Sequence, residues 1–265
     1  MKKILFCLTI MIALSVPQTV QAVMIIPSSE AVEIQNLGYE ANEKGFFNAA
    51  KDGNVLVLNI FNRVNAYINL KDDEGKTPVY YAAASGKIKA VRYLLLCGAD
   101  INARTFALKS PLMAAIEAKS FETAKLLIDM NASLQTSDEN GLTPLHYAVI
   151  NNQLQTTKYI SSLYCDIDAT DIYGNTPLYY AAEKNTEFLK TLIEAGADKN
   201  GKNEEGKTVL HHAAEINNVN SVKFLIESGV NVNSVDDNGY TPIHYAKQDS
   251  AIYFYLVEAG AKTED

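Results

Sequence analysis

Thr143-Pro144-Leu145-His146-Tyr147-Ala148 lies near the middle of a 265-residue chain, and it has sisters on both sides. Upstream are Thr77-Pro78-Val79-Tyr80-Tyr81-Ala82-Ala83 and Ser110-Pro111-Leu112-Met113-Ala114-Ala115. Downstream are Thr176-Pro177-Leu178-Tyr179-Tyr180-Ala181-Ala182, Thr208-Val209-Leu210-His211-His212-Ala213-Ala214 and Thr241-Pro242-Ile243-His244-Tyr245-Ala246. The Thr or Ser positions step by 33, 33, 33, 32 and 33 residues. Self-similarity at a fixed period of this length marks a repeat architecture in which neighbouring units share one core.

Each unit follows the same physical logic. A Thr followed by Pro opens a helix, because the hydroxyl caps orphan N–H groups and Pro suits the first helical position. The small residues after it, such as Ala82-Ala83, Ala181-Ala182 and Ala213-Ala214, let helices approach closely. Gly53, Gly86, Asn152, Asn185 and Asn217 share one position where the first helix must stop, and Gly and Asn tolerate a left-handed stop. A second apolar helix follows, as in residues 90–96 and 221–226, ending at Gly98, Asn131, Gly196, Gly229 or Gly260. An extended arm with a tight turn closes the unit, with Asn-Gly at 140–141 and 238–239 as the strongest turn signals. An upstream unit without Thr-Pro, Phe46-Phe47-Asn48-Ala49-Ala50 and then Gly53, fits the frame with Lys44 in the Thr slot.

With period, helix start, helix stops and turn all in agreement, the chain resembles the ankyrin-repeat family, in an exported, bacterial form. The resemblance covers residues 44–265, in seven units starting near 44, 77, 110, 143, 176, 208 and 241. It implies an all-α, open solenoid of helix pairs with β-hairpin-like arms along one edge. It also implies protein–protein binding at the arm tips and the concave helix face. Four departures stand out. Leu108 replaces the turn Gly, so an irregular arm is expected there; Val209 replaces Pro, Tyr164-Cys165 replaces Gly-Ala, and the last unit is short. Residues 23–43 show no repeat and read as a flexible or capping leader.

Residues 1–22 read differently. A cationic Met1-Lys2-Lys3 precedes an apolar run from Ile4 to Val16, a break at Pro17, and small residues up to Ala22. This is the pattern of a secretory signal peptide cut after Ala22, and the run is too short to span a bilayer comfortably. Export to the periplasm or the extracellular space is therefore expected, with no membrane association after cleavage. The full chain carries a net charge of −8, and losing Lys2 and Lys3 makes the remainder more acidic still. Such a chain repels phosphate backbones, so nucleic acid is not expected as a partner.

Signals of chemistry are weak. Gly201-Lys202-Asn203-Glu204-Glu205-Gly206-Lys207-Thr208 matches the phosphate-loop spacing, but no buried strand precedes it and its Gly-Lys-Thr is the repeat's own turn. His146, His211 and His244 share a slot that elsewhere holds Tyr80, Met113 and Tyr179, which suits local hydrogen bonding and not a metal site. Cys97 and Cys165 lie two units apart, roughly twice the 8–10 Å spacing of packed helices and beyond disulfide reach. No nucleophile–base arrangement can be assembled. The sequence predicts no catalysis, no cofactor, no metal, and a monomer.

Positions that vary inside the frame are free to recognise a partner. The sequence nominates Phe106, Leu142, Ile172, Tyr173 and Tyr240 on the arms, with Ile150 close by. It adds the carboxylates Glu117, Glu183, Glu205 and Glu215 around them. This combination predicts a protein partner with an apolar anchor and a basic rim. An alternative is an inhibitor or immunity-type protein that occludes an enzyme's active site. The recurrent Tyr81, Tyr147, Tyr180 and Tyr245 are expected to pack between units with their hydroxyls at a polar edge.

Overall fold

The computed structural model describes residues 24–262, and the signal-peptide reading of 1–22 lies outside them. Fifteen helices and no strands occur among the described residues. Seven inner helices are α2 (Glu43–Asp52), α4 (Pro78–Ala84), α6 (Pro111–Glu117), α8 (Pro144–Ile150), α10 (Pro177–Ala181), α12 (Val209–Glu215) and α14 (Pro242–Tyr245). Each is followed by an outer helix: α3 (Val55–Arg63), α5 (Ile88–Leu96), α7 (Phe121–Asp129), α9 (Leu154–Ser161), α11 (Thr186–Glu194), α13 (Val219–Glu227) and α15 (Ala251–Glu258). Inner helices pack on inner helices and outer on outer in strict succession, which makes an all-α solenoid of two layers. Helix α1 (Ser28–Asn36) precedes them and packs on α3 as an outer helix, burying Ile34.

The sequence signals act where they were read. Thr77, Ser110, Thr143 and Thr176 each accept a hydrogen bond from the backbone N–H three residues on, at 3.3–3.5 Å. The first unit differs from the expected frame: α2 begins two residues earlier, capped by Asn42, whose side chain accepts from the Gly45 N–H at 3.0 Å, so Lys44 is already inside the helix. Gly53, Gly86, Asn152 and Asn217 stop inner helices at positive φ, and Lys119 does the same in the third unit (φ 55°). Asn185 does not. It is extended (φ −72°) and caps the start of α11 instead, because α10 ends early at Ala181.

Inner helices of four to ten residues cannot hold together alone. Their stability comes from the core, where Ala49, Ala50, Ala82, Ala83, Ala115, Ala148, Ala181, Ala182 and Ala213 are wholly buried between layers. Small side chains there let neighbouring backbones come close. The outer layer supplies bulk with Leu58, Phe61, Leu94, Leu127, Ile160, Leu189, Leu225 and Leu256.

Candidate functional site

The arms project from the starts of the inner helices, and one side chain organises most of them. Asp72, Asp138, Asp171 and Asp236 open four of the turns, each accepting two backbone N–H groups from the residues two and four further on. The second oxygen of each accepts a tyrosine hydroxyl nine residues along: Tyr81, Tyr147 (2.9 Å), Tyr180 and Tyr245. The polar edge expected for this tyrosine slot is thus the turn carboxylate. Burial and the partner carboxylate both drive the four phenols upward, Tyr245 to about 12. Burial pushes the Asp236 carboxyl up, but the Tyr245 hydroxyl and two backbone N–H groups outweigh it and hold the carboxyl below its ordinary value.

Successive tips are joined by one backbone bond each. Phe106, Glu139, Ile172, Glu204 and Asp237 donate their N–H to Glu74, Ala107, Asn140, Tyr173 and Glu205 at 2.9–3.2 Å. Close approach explains the turn glycines: a Cβ on Gly141 would stand 2.8 Å from the Asp171 backbone, and one on Gly174 2.7 Å from the Glu204 nitrogen. The arm expected to be irregular at Leu108 keeps the common geometry. Leu108 adopts the glycine conformation (φ 57°), its N–H donates to Thr105, and only the bond to the next tip is longer than the rest, at 3.2 Å.

His146 and His211 tie inner helices to the next arm. The Nδ1 atoms accept the Thr143 and Thr208 N–H at 3.2 and 3.1 Å, so the proton is assigned to Nε2, which donates to the carbonyls of Asn175 and Tyr240, both at 3.1 Å. Burial holds both imidazoles below their ordinary value. These rings are structural, as the shared slot suggested. His244 likewise accepts the Thr241 N–H at 3.1 Å.

The phosphate-loop look-alike is fully committed to the arm. Every backbone N–H from Asn203 to Thr208 already has a protein acceptor. The Lys207 ammonium sits between Glu205 (3.1 Å) and Glu215 (3.2 Å) and 4.9 Å over the Tyr245 ring. Burial alone would lower Lys207, but the two carboxylates outweigh it and hold the ammonium above its ordinary range. Cys97 and Cys165 are free, half-buried thiols. No His, Cys, Asp or Glu group that could hold a metal occurs among the described residues, and no described helix is long and apolar enough to cross a membrane.

The nominated residues fall into two sets. Phe106 (69% exposed), Tyr173 (63%), Ile172 (49%) and Tyr240 (49%) stand out from the arms into solvent, whereas Leu142 and Ile150 are half-buried in the groove behind them. The carboxylates, read as a free acidic surround, are mostly engaged. Glu117 pairs with Lys109 at 2.7 Å, Glu205 and Glu215 share Lys207, and Glu183 meets His212 at 3.2 Å. The missed signal is in the sequence: each Lys precedes its Thr or Ser by one residue, and its Glu lies eight further on. In the fourth unit those two slots hold Leu142 and Ile150, an apolar gap next to the Lys109–Glu117 rung. Beside it, Lys76, Lys109, Tyr80, Phe106 and Glu117 line an open cleft of ≈ 600 Å³.

Comparison with known proteins bears on this architecture. The family model for ankyrin repeats matches the chain over residues 17–105, 46–138, 112–203 and 178–265. The ankyrin repeat domain of human ASB11 superposes with a TM-score of 0.72 at 23% identity, covering 83% of this chain and 99% of that one. The ankyrin repeat domain of Bcl-3, described as a unique member of the IkappaB protein family, gives 0.72 at 26% identity, covering 80% and 97%. No curated protein sequence matches the chain.

Proposed function

The chain belongs to the ankyrin-repeat family, a general protein–protein interaction fold, and from that premise we propose that it is an exported binding module that grips another protein without catalysis. The observation that carries the reading is the row of exposed aromatic and aliphatic side chains, Phe106, Ile172, Tyr173 and Tyr240, on arm tips locked to one another by backbone bonds. Large side chains carried on a backbone that is already fixed spare the cost of ordering a loop on docking, and aromatic anchors are what interfaces use for affinity. Export rests on the first 22 residues, and the working compartment would be the periplasm or the medium.

A photo-crosslinking residue placed at position 173 is the direct test, applied to periplasmic and culture-medium fractions. A discrete protein adduct, lost when the probe sits instead at the exposed outer-helix position 187, supports the reading. Equal labelling from both positions contradicts it. The Ile172→Ala, Tyr173→Ala double variant should weaken capture at least tenfold with an unchanged melting profile, because tips carry little core.

A further inference from the structure

The tips are not a uniform rim. Taken in order, the first five read acidic at Asp73, apolar at Phe106, acidic at Glu139, apolar at Ile172 and Tyr173, and acidic at Glu204. All six side chains are exposed, and none of the three carboxylates is in an ion pair, unlike those of the groove. The tip-to-tip backbone bonds hold this alternation in one line. Successive tips follow the spacing of packed helices, about 8–10 Å.

We propose, resting on the protein-binding reading above, that this strip docks an extended, polyproline-type segment of a partner, carrying cationic and apolar side chains alternately at every third residue. The period decides for that conformation. A polyproline II helix has three residues per turn at about 3.1 Å each, so residues three apart share a face and repeat at about 9.3 Å, matching the tips. A β-strand turns residues three apart to opposite faces. An α-helix rises only about 1.5 Å per residue and needs some six residues per tip, which brings successive anchors to different sides. Cations meet the unpaired carboxylates, and the apolar anchors meet Phe106 and the Ile172–Tyr173 pair.

The probe is a synthetic peptide, Lys-Pro-Pro-Leu-Pro-Pro-Lys-Pro-Pro-Leu-Pro-Pro-Lys, labelled for fluorescence anisotropy with the full mature chain. Its control has the same composition with each Leu moved by one residue. The in-register peptide should bind about tenfold more tightly than the control. Glu139→Lys should lose about that factor, and a peptide with Glu in place of the central Lys should recover it on this variant alone. Circular dichroism confirms that the exposed substitution leaves the fold intact. Equal binding of the two peptides, no binding of either, or tighter binding of a helical peptide of matched charge would overturn the proposal. Those results leave a partner crosslinked at position 173 standing, so failure of the register is separable from failure of the protein-binding reading.

Discussion

At the scale of single residues, the aspartate–tyrosine pairs show how the arms are set. The pairing is written inside the chain: units with Asp at the turn have Tyr nine residues later, whereas Thr105 is followed by Ala114 and Asn203 by His212. The tyrosine column was legible from the period, but its partner was not, because Asp at a turn already has a sufficient local explanation. Removing the hydroxyl leaves a carboxylate that is nearly buried, with one oxygen unmatched. Tyr147→Phe should therefore cost about 1.5–3 kcal/mol in urea unfolding, the range for a hydrogen bond to a charged group. Combined with Asp138→Asn, the losses should be clearly less than additive, and additive losses would separate the two residues. Leu108 offers the opposite change. An L-residue held at positive φ costs about 1–2 kcal/mol, so Leu108→Gly should raise stability, by about 0.5–1 kcal/mol after the entropy of the unfolded glycine is counted. Gly141→Ala should lower it, because its Cβ meets the next arm's backbone at 2.8 Å. If both substitutions shift the midpoint in one direction, the left-handed turn position at 108 and 141 is refuted.

At the scale of the element, the inner helix is a short piece held by its cap and its alanines, and in three units by an imidazole as well. Ala181 is wholly enclosed between layers, so Ala181→Glu buries an unpaired charge and should cost more than about 4 kcal/mol, enough to abolish the folded transition near 37 °C. The imidazole gives the element a pH dependence whose sign is fixed by geometry. Protonating Nδ1 of His146 or His211 would set a proton against the N–H it accepts, and burial further disfavours the cation. The folded-state value is depressed, so the stabilisation is complete above the unfolded value of 6.5 and is lost as pH falls from there through the folded value. Lowered carboxylates such as Asp236 act only below about 4, outside this window. Unfolding free energy should thus decline between pH 7 and pH 5, and His146→Gln with His211→Gln should flatten that decline. An unchanged slope in the double variant would move its origin elsewhere.

At the scale of the whole molecule, stability runs from neighbour to neighbour along several ladders. One is the row of backbone bonds between successive tips. Another was invisible beforehand: Asn69, Asn102, Gln135, Asp168, Asn200 and Asn233 each accept the backbone N–H of Asp100, Ser133, Asp166, Asp198, Asn231 and Lys262 in the following unit, at 2.7–3.1 Å. These positions keep the period, yet Asn, Gln and Asp in a connecting segment read as ordinary loop chemistry. Helix starts and stops were legible because they act within a few residues of themselves. The ladders depend on residues about one unit away, and the Lys–Glu rungs on residues eight apart across the helix start, so their partners become evident only once each unit is folded and the units are stacked. Ladders of this kind predict how the solenoid fails. Removing residues 241–265 takes Ile243 off α12, with its buried Leu210, and takes Ile252 and Leu256 off α13, with its buried Val222 and Leu225. Each such side chain is worth about 1.5–3 kcal/mol on burial, partly offset by the ordering of its own unit, so the truncated chain should lose about 2 kcal/mol or more. The remaining units stay coupled through their own ladders, so unfolding followed by circular dichroism and by tyrosine fluorescence should still give one coincident transition, at a lower urea midpoint and with a smaller slope. Two separated transitions, or an unmoved midpoint, would mean that the units do not lean on one another as their contacts indicate.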